Sequence, residues 1–286
     1  MELQNLLGTI QTGTIKQHQS NETLVAVAGH TFHLSGKTAT AAVTVQGFLY
    51  ENQHHQYCMT TKIPQATVGR YGFGTVSKVR GDLGVFVNIG LPDKDIVVSL
   101  DDLPELKSLW PQIGDRLLIR IIVDHKNRLW GKLADSTIYQ QLARPVTPQL
   151  QNQNVQATVY RLKLNGTYVL TNDYHLGFIH PSEREREPRL GEVVAARVIG
   201  VSFDHVNLSL KPRAYEEISD DAAMILAVLQ HQPQHQINFN DKSDPQAIKN
   251  YFGISKSSFK RALGNLLKRR LIIQTAAGIQ LCETDD

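Results

Sequence analysis

The sequence lacks the features of secreted and membrane proteins. It contains only two cysteines, Cys58 and Cys282, which lie far apart and form no motif, so no disulfide framework is expected and a reducing compartment is favoured. Its longest apolar runs, such as "MILAVL" at 224–229, are too short to span a bilayer. The first residues, "MELQNLLGTIQTG", lack the basic start and long apolar core of a signal peptide. The sequence therefore predicts a cytoplasmic protein with no membrane partner.

Motifs for catalysis are also missing. The patterns GxxxxGK[ST], GxSxG and HExxH do not occur in the chain. His54, His55 and Cys58 could be metal ligands, but no second ligand pair follows at a plausible spacing, so a polar hairpin is the better interpretation. We therefore expect no enzymatic activity, no catalytic residue, no metal and no cofactor.

One enzymatic alternative stays open, a metal-dependent nuclease that uses carboxylates in loops. Such a site could hold Mg²⁺ through oxygen ligands. The candidate loop carboxylates are Asp93, Asp95, Asp101, Asp102 and Glu105. They lie in loops that contain proline, and no partnering His or Lys motif accompanies them, which makes the nuclease the weaker hypothesis.

The chain also has little net charge. Its 286 residues permit two to four domains, and the formal charge is only +3. A site for a polyanion must therefore come from local clusters of basic residues.

Up to about residue 213 the sequence pattern predicts β-strands, and this part of the chain contains an internal repeat. Short runs such as "LGVFVNIG" and "EVVAARVIGVSF" are rich in β-branched residues and end at Gly, Asn or Asp. In the first block, "GVFV" at 84–87 precedes "IGD" at 113–115 and "NRLWGKL"; in the second, "GTYV" at 166–169 precedes "LGE" at 190–192 and "HVNLSLK". The two blocks are predicted to be copies of one small antiparallel barrel.

These patterns give a domain division. Residues 1–65 carry similar strands without a clear second half of the motif, and are interpreted as a degenerate first barrel. Residues 66–142 form the second barrel, and residues 143–213 a linker followed by the third. The linker is "ARPVTPQLQNQNVQ" at 143–156, which is rich in Pro, Gln and Asn.

Residues 214–286 are predicted to form a winged helix-turn-helix. One helix is expected behind a capping Ser219 or Asp220, with Ile225, Leu226 and Leu229 on one face. A second starts at "DP" 244–245 and stops at Gly253, and a third starts at Ser255. Two short strands around residues 277–278 complete the motif. The fold class is thus mainly β with a C-terminal α+β domain: three tandem OB-fold barrels, then a winged helix.

The stretch "GFIHPSERERE" at 177–187 is the main candidate for a binding surface. If Val169 and Ile179 fill the third barrel, alternation places Tyr168, Phe178 and His180 outside on neighbouring strands. Ser182 and Glu185 have the spacing of a capping box, so Pro181 should lead into a short helical turn. Arg184 and Arg186 would then stand beside the rings. Small barrels bind single-stranded nucleic acids through exposed rings next to guanidinium groups. The alternative is that Phe178 is core, His180 caps a turn and the charges form a solvated face.

The third block resembles the RNA-binding repeat named after ribosomal protein S-one. The resemblance rests on "NGTYV", "GFIHPSE" and "RLGEVVAARVIGVSFDHVNLSLK", and it implies a five-stranded OB barrel that binds RNA through exposed aromatics, a histidine and basic residues. Tyr168 matches the family aromatic and His180 the family histidine. Asn165 stands where the family often has another aromatic, and the family arginine is either replaced by His205 or missing, so only part of the binding surface is kept.

The second block matches the same repeat differently. Phe86 matches the aromatic and Arg128 the arginine, whereas Val98 occupies the histidine position. Trp130 could supply a stacking ring, although sealing a joint between two barrels is the slightly favoured interpretation.

The whole order of elements resembles the conserved virulence factor B family, whose members combine three S-one-type repeats with a terminal winged helix. "TTKIPQATVGRYGFGTV" (60–76), "GLPDKDIVV" (90–98), "GFIHPSERERE" and "DKSDPQAIKNYFGISKSSFKRALGNLLKRRLI" (241–272) carry this resemblance. It implies RNA binding and a regulatory role in gene expression and virulence, and it supplies no catalytic activity.

The winged helix has a local excess of positive charge. Eight basic residues lie between 242 and 270, against Asp244 alone. Lys256, Lys260 and Arg261 lie opposite the apolar stripe of the third helix, where they could contact phosphates. A solvated helix with cations near its C-terminus is the alternative, and it fits "KRR" at 268–270.

Together these patterns predict a monomeric protein of linked, independently placed domains that binds single-stranded RNA. The alternative partner is duplex DNA, read by the winged helix of a transcriptional regulator. The start of its third helix, "SKSSFKR", is poor in residues that read bases, which weakens that alternative.

Overall fold

A computed structural model describes residues 2–19, 22–35, 43–212, 219–232, 234–275 and 277–282. The chain divides into two compact units, Met1–Leu210 and Lys211–Asp286. The predicted boundary at residues 213 and 214 lies outside the described residues. Among the described residues, no helix has the length and apolar character needed to cross a bilayer.

The first unit contains three closed five-stranded barrels. The strands of the first barrel are β1 Ile10–Gln19, β2 Glu22–Val27, β3 His30–Ser35, β4 Thr44–Glu51 and β5 Tyr57–Thr60. Those of the second are β6 Gly72–Arg80, β7 Gly84–Asn88, β8 Ile96–Ser99, β9 Arg116–Val123 and β10 Leu129–Leu133. Those of the third are β11 Asn154–Lys163, β12 Gly166–Thr171, β13 Leu176–Ile179, β14 Val193–Val201 and β15 Val206–Ser209.

All three barrels share one topology. Around each barrel the strands follow the order first, second, third, fifth, fourth, and the third and fifth strands run parallel while the other pairs are antiparallel. The first strand of each barrel carries a β-bulge at the corresponding place, after Ile15, Val76 and Val159. A bulge at this place increases the twist that closes so few strands into a barrel. The prediction of three OB-type barrels is confirmed.

The repeat extends to individual hydrogen bonds of the turn before the fourth strand. Gly114 and Gly191 both have positive φ, +93° and +81°, where a side chain would be strained. Each glycine N–H donates to the carbonyl of the residue before the bulge, Val76 or Val159, and that residue's N–H donates to the carbonyl of the next acid, Asp115 or Glu192. The "IGD" and "LGE" of the two sequence blocks therefore encode one turn, used twice.

The sequence predicted independently placed barrels, but the structure packs the barrels together. One hydrophobic cluster runs through the first two barrels, from Leu6 and Leu7 to Ile121. Main-chain bonds tie the second barrel to the third: Arg116 N–H donates to the Gly191 carbonyl at 2.8 Å, and Leu190 N–H to the Leu109 carbonyl at 3.0 Å. Linker composition could not reveal these pairings, because they join residues distant in sequence.

The predicted linker at 143–156 is also packed. It follows α1, Ser136–Leu142, and contains a 3-10 turn at Pro148–Leu150. Val146 and Leu150 pack against the core of the third barrel. The segment between the two barrels is therefore held on the third barrel by two apolar side chains that lie among its polar residues.

The second unit has the predicted helix order. Its helices are α2 Asp220–His231, α3 Pro245–Phe252 and α4 Lys256–Lys268, and its strands are β16 Gln236–Ile237, β17 Ile272–Gln274 and β18 Ile279–Leu281. Ser219, Asp244 and Ser255 cap the three helices through their side chains, and α3 ends at Gly253. Ile225, Leu229, Phe259 and Leu263 are buried, while Leu226 and Leu267 pack at the edge of this core. The winged-helix prediction is confirmed, with β16 as an added strand.

Candidate nucleic-acid interface

The outer face of the third barrel carries two rings on paired strands. Tyr168 on β12 lies directly opposite Phe178 on β13, and their ring centroids are 5.3 Å apart at an angle of 64°. Both rings are half-buried, whereas Val169 and Ile179 fill the barrel interior. The predicted alternation along both strands is correct. The two rings thus form a platform whose open faces a nucleobase could cover.

Two neighbouring residues, Asn165 and Gly166, shape the edge of this platform. The Asn165 amide donates to the Tyr168 hydroxyl at 3.2 Å, so the residue that replaces a family aromatic instead orients the tyrosine. Gly166, at φ +150°, lies under Phe178: a Cβ at this position would meet the Phe178 ring at 2.5 Å. Glycine at 166 therefore lets the Phe178 ring pack directly against the backbone.

His180 is exposed at the end of β13 and caps the following turn. Its Nδ1 accepts a hydrogen bond from the Ser182 backbone N–H at 3.2 Å and lies 2.7 Å from the Ser182 hydroxyl. A neutral ring that accepts at Nδ1 carries its proton on Nε2, which is then a donor for a phosphate or a base. The predicted short helical turn exists at Pro181–Glu183. The predicted capping box is wrong, because His180 and not Ser182 is the N-cap.

The two arginines of this segment have protein partners. Arg184 is only 7% exposed; it donates to the Thr167 hydroxyl at 2.9 Å and pairs with Glu187 at 2.6 Å. Arg186 is 63% exposed and makes a two-pronged contact with Glu192. Arg184 thus holds the turn against β12, and only Arg186 presents a surface to a ligand.

Sequence reasoning missed three residues beside this platform. Tyr160 on β11 lies 6.3 Å from the Tyr168 ring and stacks on Tyr139 of α1 at 4.0 Å. The Lys163 ammonium lies 5.8 Å from the centre of the Tyr168 ring. Tyr160 follows the bulge at Val159, where strict alternation fails, so the strand pattern gave no signal for it. Burial raises the pKa of its phenol to about 12.

The second barrel has a corresponding row of side chains. Phe86 on β7 and Trp130 on β10 both lie opposite Val97 of β8. The Lys78 ammonium lies 5.7 Å from the Phe86 ring, and the Arg128 guanidinium 5.4 Å from the Trp130 ring. Trp130 therefore lies in an outer row rather than in the hydrophobic clusters of the described residues. Val98, at the family's histidine position, is buried.

Asp124 holds two side chains of this row, Arg128 and Trp130, by hydrogen bonds. It accepts from Arg128 Nε at 2.7 Å and from the Trp130 indole N–H at 3.2 Å. Burial raises the pKa of Asp124, but the hydrogen bonds from Arg128 and Trp130 outweigh it and hold the pKa well below its ordinary value. Arg128 therefore has one carboxylate partner and an exposed guanidinium edge.

The loop carboxylates do not converge. Ser77 donates to Asp95 at 2.7 Å, Ser99 donates to Asp101 at 3.1 Å, and Asp102 pairs with Lys132. Within the described residues, no group of three or more His, Cys, Asp or Glu side chains could hold a metal ion.

His55 and Cys58 likewise have separate roles. The His55 imidazole lies 3.0 Å from a Glu51 carboxylate oxygen, and Cys58 is buried in the first barrel. Burial raises the pKa of the Cys58 thiol to about 11. A thiol in this environment stays protonated at neutral pH and is a poor metal ligand.

In the winged helix, the start of α4 carries the predicted cations. Lys260 and Arg261 are exposed, and Lys256 is half-buried. Arg261 donates to the Ser258 hydroxyl at 3.2 Å. The buried stripe of α4 consists of Phe259, Ala262, Leu263 and Leu266. The cations therefore lie away from the domain core, as a contact to phosphates requires.

Three family models match the chain. Residues 71–132 match the model described as CvfB first S1-like domain, residues 139–212 match Virulence regulatory factor CvfB, second domain, and residues 223–281 match CvfB-like winged helix domain.

Similar proteins are known from several bacteria. Conserved virulence factor B of Staphylococcus epidermidis is 40% identical over 227 residues, which cover 79% of this chain and 75% of that protein. YitL of Bacillus subtilis is 40% identical over 231 residues, 80% of this chain and 77% of that protein. The crystal structure of a multidomain protein with nucleic acid binding domains from Streptococcus pneumoniae superposes with a TM-score of 0.72 at 48% identity, covering 97% of this chain and 99% of that one.

Proposed function

Because the chain belongs to the conserved virulence factor B family, we propose that it is an RNA-binding regulatory protein that holds single-stranded RNA without cleaving it. S1-like and winged-helix domains indicate nucleic-acid binding, and the crystal structure from Streptococcus pneumoniae has nucleic acid binding domains. What we propose beyond this is that RNA is the preferred partner and that the role is regulatory.

The observation that carries the proposal is the paired platform of Tyr168 and Phe178, with His180 at its end and Lys163 over one ring. Unpaired bases offer open π-faces that stack on such rings, whereas bases in a duplex are already stacked on each other. The outer row of Phe86 and Trp130 on the second barrel supports a path that covers more than one barrel.

The loops support binding without cleavage. Asp95, Asp101 and Asp102 bond to Ser77, Ser99 and Lys132, and in the described part of the chain no group of three or more His, Cys, Asp or Glu could hold a metal ion.

The test is a titration of the whole chain with single-stranded RNA, single-stranded DNA and duplex DNA of matched sequence at two salt concentrations. We expect the tightest binding to single-stranded RNA, weakening with salt, and intact RNA after incubation with Mg²⁺. Preferential binding of duplex DNA would replace this proposal with the DNA regulator. Mg²⁺-dependent degradation that is lost in Asp101→Ala or Asp102→Ala would replace it with the nuclease.

A further inference from the structure

A groove with no acidic residue in its lining lies at the joints of the three barrels. It consists of two adjoining cavities, of about 360 Å³ and 90 Å³, which share Phe73 and Arg116. Lys62 and Gln65 line the first, beside the segment between barrels one and two. Asn172 and Tyr174 line the second, on barrel three. We call these two cavities together the Arg116 groove.

Arg116 is placed as a ligand-binding arginine would be. Its guanidinium lies 4.7 Å from the centre of the Phe73 ring, and in the described part of the chain no carboxylate pairs with it. Its main-chain N–H is already bound to the Gly191 carbonyl, which fixes the strand beneath the side chain. A guanidinium held flat on a ring loses little conformational freedom when it binds a planar pair of oxygens.

Two other arginines, Arg120 and Arg144, also lie over aromatic rings. Leu117, Ile119 and Ile121 of β9 point into the barrel, so Arg116 and Arg120 share the outer face. The Arg120 guanidinium lies 5.9 Å from the Tyr71 ring, and its buried Nε has no hydrogen-bond partner. The Arg144 guanidinium lies 5.6 Å from the Tyr174 ring.

The charge of the lining residues decides what the groove would take. No Asp or Glu lines either cavity, and Asp173, which lies between the lining residues Asn172 and Tyr174, is exposed. The adjacent Asp115 is buried and paired with Arg189, so it does not neutralise Arg116. Arg116 and Lys62 line the groove, and no Asp or Glu is among its lining residues, so the lining is positively charged and favours phosphate.

A larger cavity of about 690 Å³ between barrels two and three is a weaker candidate for the same ligand. Its Lys132 is paired with Asp102, and Asp135 also lines it, so its charges already balance. Arg116 has no such competitor.

We propose that the Arg116 groove binds a phosphodiester group of the nucleic-acid strand that the third barrel holds. Phe73, Tyr174 and Tyr160 belong to one hydrophobic cluster at the joint of barrels two and three, and Tyr160 contacts Tyr168. The groove and the platform are therefore connected through one packed joint. This inference rests on the proposed function, in that it names a second contact for the same strand.

The test compares the whole wild-type chain with Arg116→Gln, Arg116→Lys and Tyr168→Leu in titrations with short and long oligouridylates at several salt concentrations. Arg80→Gln is the matched control, since Arg80 is an exposed arginine at the end of β6 that pairs with Asp82. We expect Arg116→Gln to weaken binding of the long oligouridylate about tenfold, as loss of one charged hydrogen-bonding group implies. The salt slope should fall by about 0.7, the value for one phosphate contact on a single strand.

The variants separate the possible outcomes. Arg116→Lys should recover part of the affinity, because it keeps the charge but loses the planar guanidinium that binds two oxygens at once. Arg80→Gln should bind as wild type does. Unchanged affinity and slope in Arg116→Gln, with weakened binding in Tyr168→Leu, would overturn the groove and leave the proposed function standing.

A second arm covers failure of the proposed function itself. If the wild-type chain binds no single strand, inorganic phosphate and a mononucleotide are tested by thermal shift. A shift that Arg116→Gln abolishes would keep an anion site at Arg116 while the single-strand proposal falls, and absence of a shift would overturn both. Melting temperatures of all variants without ligand check that each one is folded.

Discussion

At the scale of single residues, the platform makes Tyr168 the most informative side chain. Replacing it as Tyr168→Leu keeps an apolar group on the strand and removes the ring. Stacking of one base on an aromatic side chain contributes about 1–3 kcal/mol, so we expect a loss of RNA affinity of that size. Titration with a single-stranded oligonucleotide measures it.

Tyr57→Leu is the matched control for this prediction, because Tyr57 is a half-buried tyrosine of the first barrel that packs on Phe32. Its affinity should stay near the wild-type value. If Tyr168→Leu instead melts several degrees lower and the folded fraction binds normally, Tyr168 is a packing residue only.

His180 combines two roles that one substitution can separate. Asparagine is among the best N-cap residues, so His180→Asn keeps an acceptor for the Ser182 N–H and removes the ring with its outward Nε2. We expect an unchanged melting temperature and an RNA affinity several-fold lower, which corresponds to about 1 kcal/mol for the removal of one hydrogen bond. Affinity equal to wild type would assign His180 to capping alone.

Arg184 shows the limit of reading a site from composition. The mixed-charge run "SERERE" indicated two arginines at a binding face, but burial and the contacts with Thr167 and Glu187 give Arg184 a structural role. Alternation could place Phe178 and His180, since it depends only on neighbours in sequence. The partner of an arginine depends on which distant residues the fold brings near, and the sequence holds no local signal for that.

At the scale of elements, the turn "PSERERE" should therefore respond differently at its two arginines. Arg184→Gln removes a mostly buried ion pair whose acid, Glu187, is 34% exposed, so we expect a loss of about 1–3 kcal/mol in the free energy of unfolding. RNA affinity of the folded protein should be unchanged. Arg186→Gln, at an exposed position, is the matched comparison and should have the smaller effect on stability. Thermal melts and titrations of both variants measure this, and weaker RNA binding by stably folded Arg184→Gln would contradict it.

The joint between barrels two and three depends on carboxylates in the repeated turn. Arg189 pairs with Asp115 of the second barrel at 3.1 Å and with Glu192 of the third at 3.4 Å. Burial raises the pKa of Glu192, but hydrogen bonds from Arg186 and from the Arg189 N–H outweigh it, and the pKa lies below its ordinary value. A lowered pKa in the folded state means that ionised Glu192 stabilises the fold.

This shift gives a pH dependence with a definite sign. The contribution of Glu192 is fully present above its unfolded pKa of about 4.3 and is lost as pH falls through the lower, folded pKa. Glu192→Gln should melt below wild type at neutral pH, and the difference should shrink as pH falls below about 4.3. Glu185→Gln, at an exposed acid of the same turn, should show little difference at either pH. A gap between Glu192→Gln and wild type that does not change with pH would contradict the assignment.

At the scale of the whole molecule, the sequence predicted the parts better than their arrangement. Gly114 and Gly191, at corresponding places in the two blocks, predicted the repeated barrel because one turn must be built at each place. Ser219, Asp244 and Ser255 marked helix starts because capping is local. Independent barrels were a wrong expectation, since Leu6, Leu7 and Ile121 meet in one cluster that no local pattern encodes.

Two compact units on one chain imply that binding sites on each can act together. The barrel unit and the winged-helix unit have separate hydrophobic cores. When one long RNA contacts both, the second contact becomes intramolecular, so affinity exceeds that of either unit alone. The charge of α4 indicates that the winged helix would supply phosphate contacts rather than base reading, because its start offers Lys256, Lys260 and Arg261 and no side chain suited to a bidentate contact with adenine.

Neutralising these three cations together, as Lys256→Gln, Lys260→Gln and Arg261→Gln, should weaken binding about equally across RNA sequences. The slope of log affinity against log salt should fall by about 0.7 to 1 for each phosphate that the helix no longer neutralises. The control removes the same charge elsewhere in the unit, as Lys242→Gln, Lys249→Gln and Arg270→Gln at exposed positions. If both triple variants lower the salt slope equally, the effect comes from the overall electrostatic field of the domain. If the α4 variant leaves the salt slope unchanged, its cations form a solvated face. Sequence-selective weakening of binding would instead indicate base reading by α4, because only contacts to base edges distinguish one sequence from another.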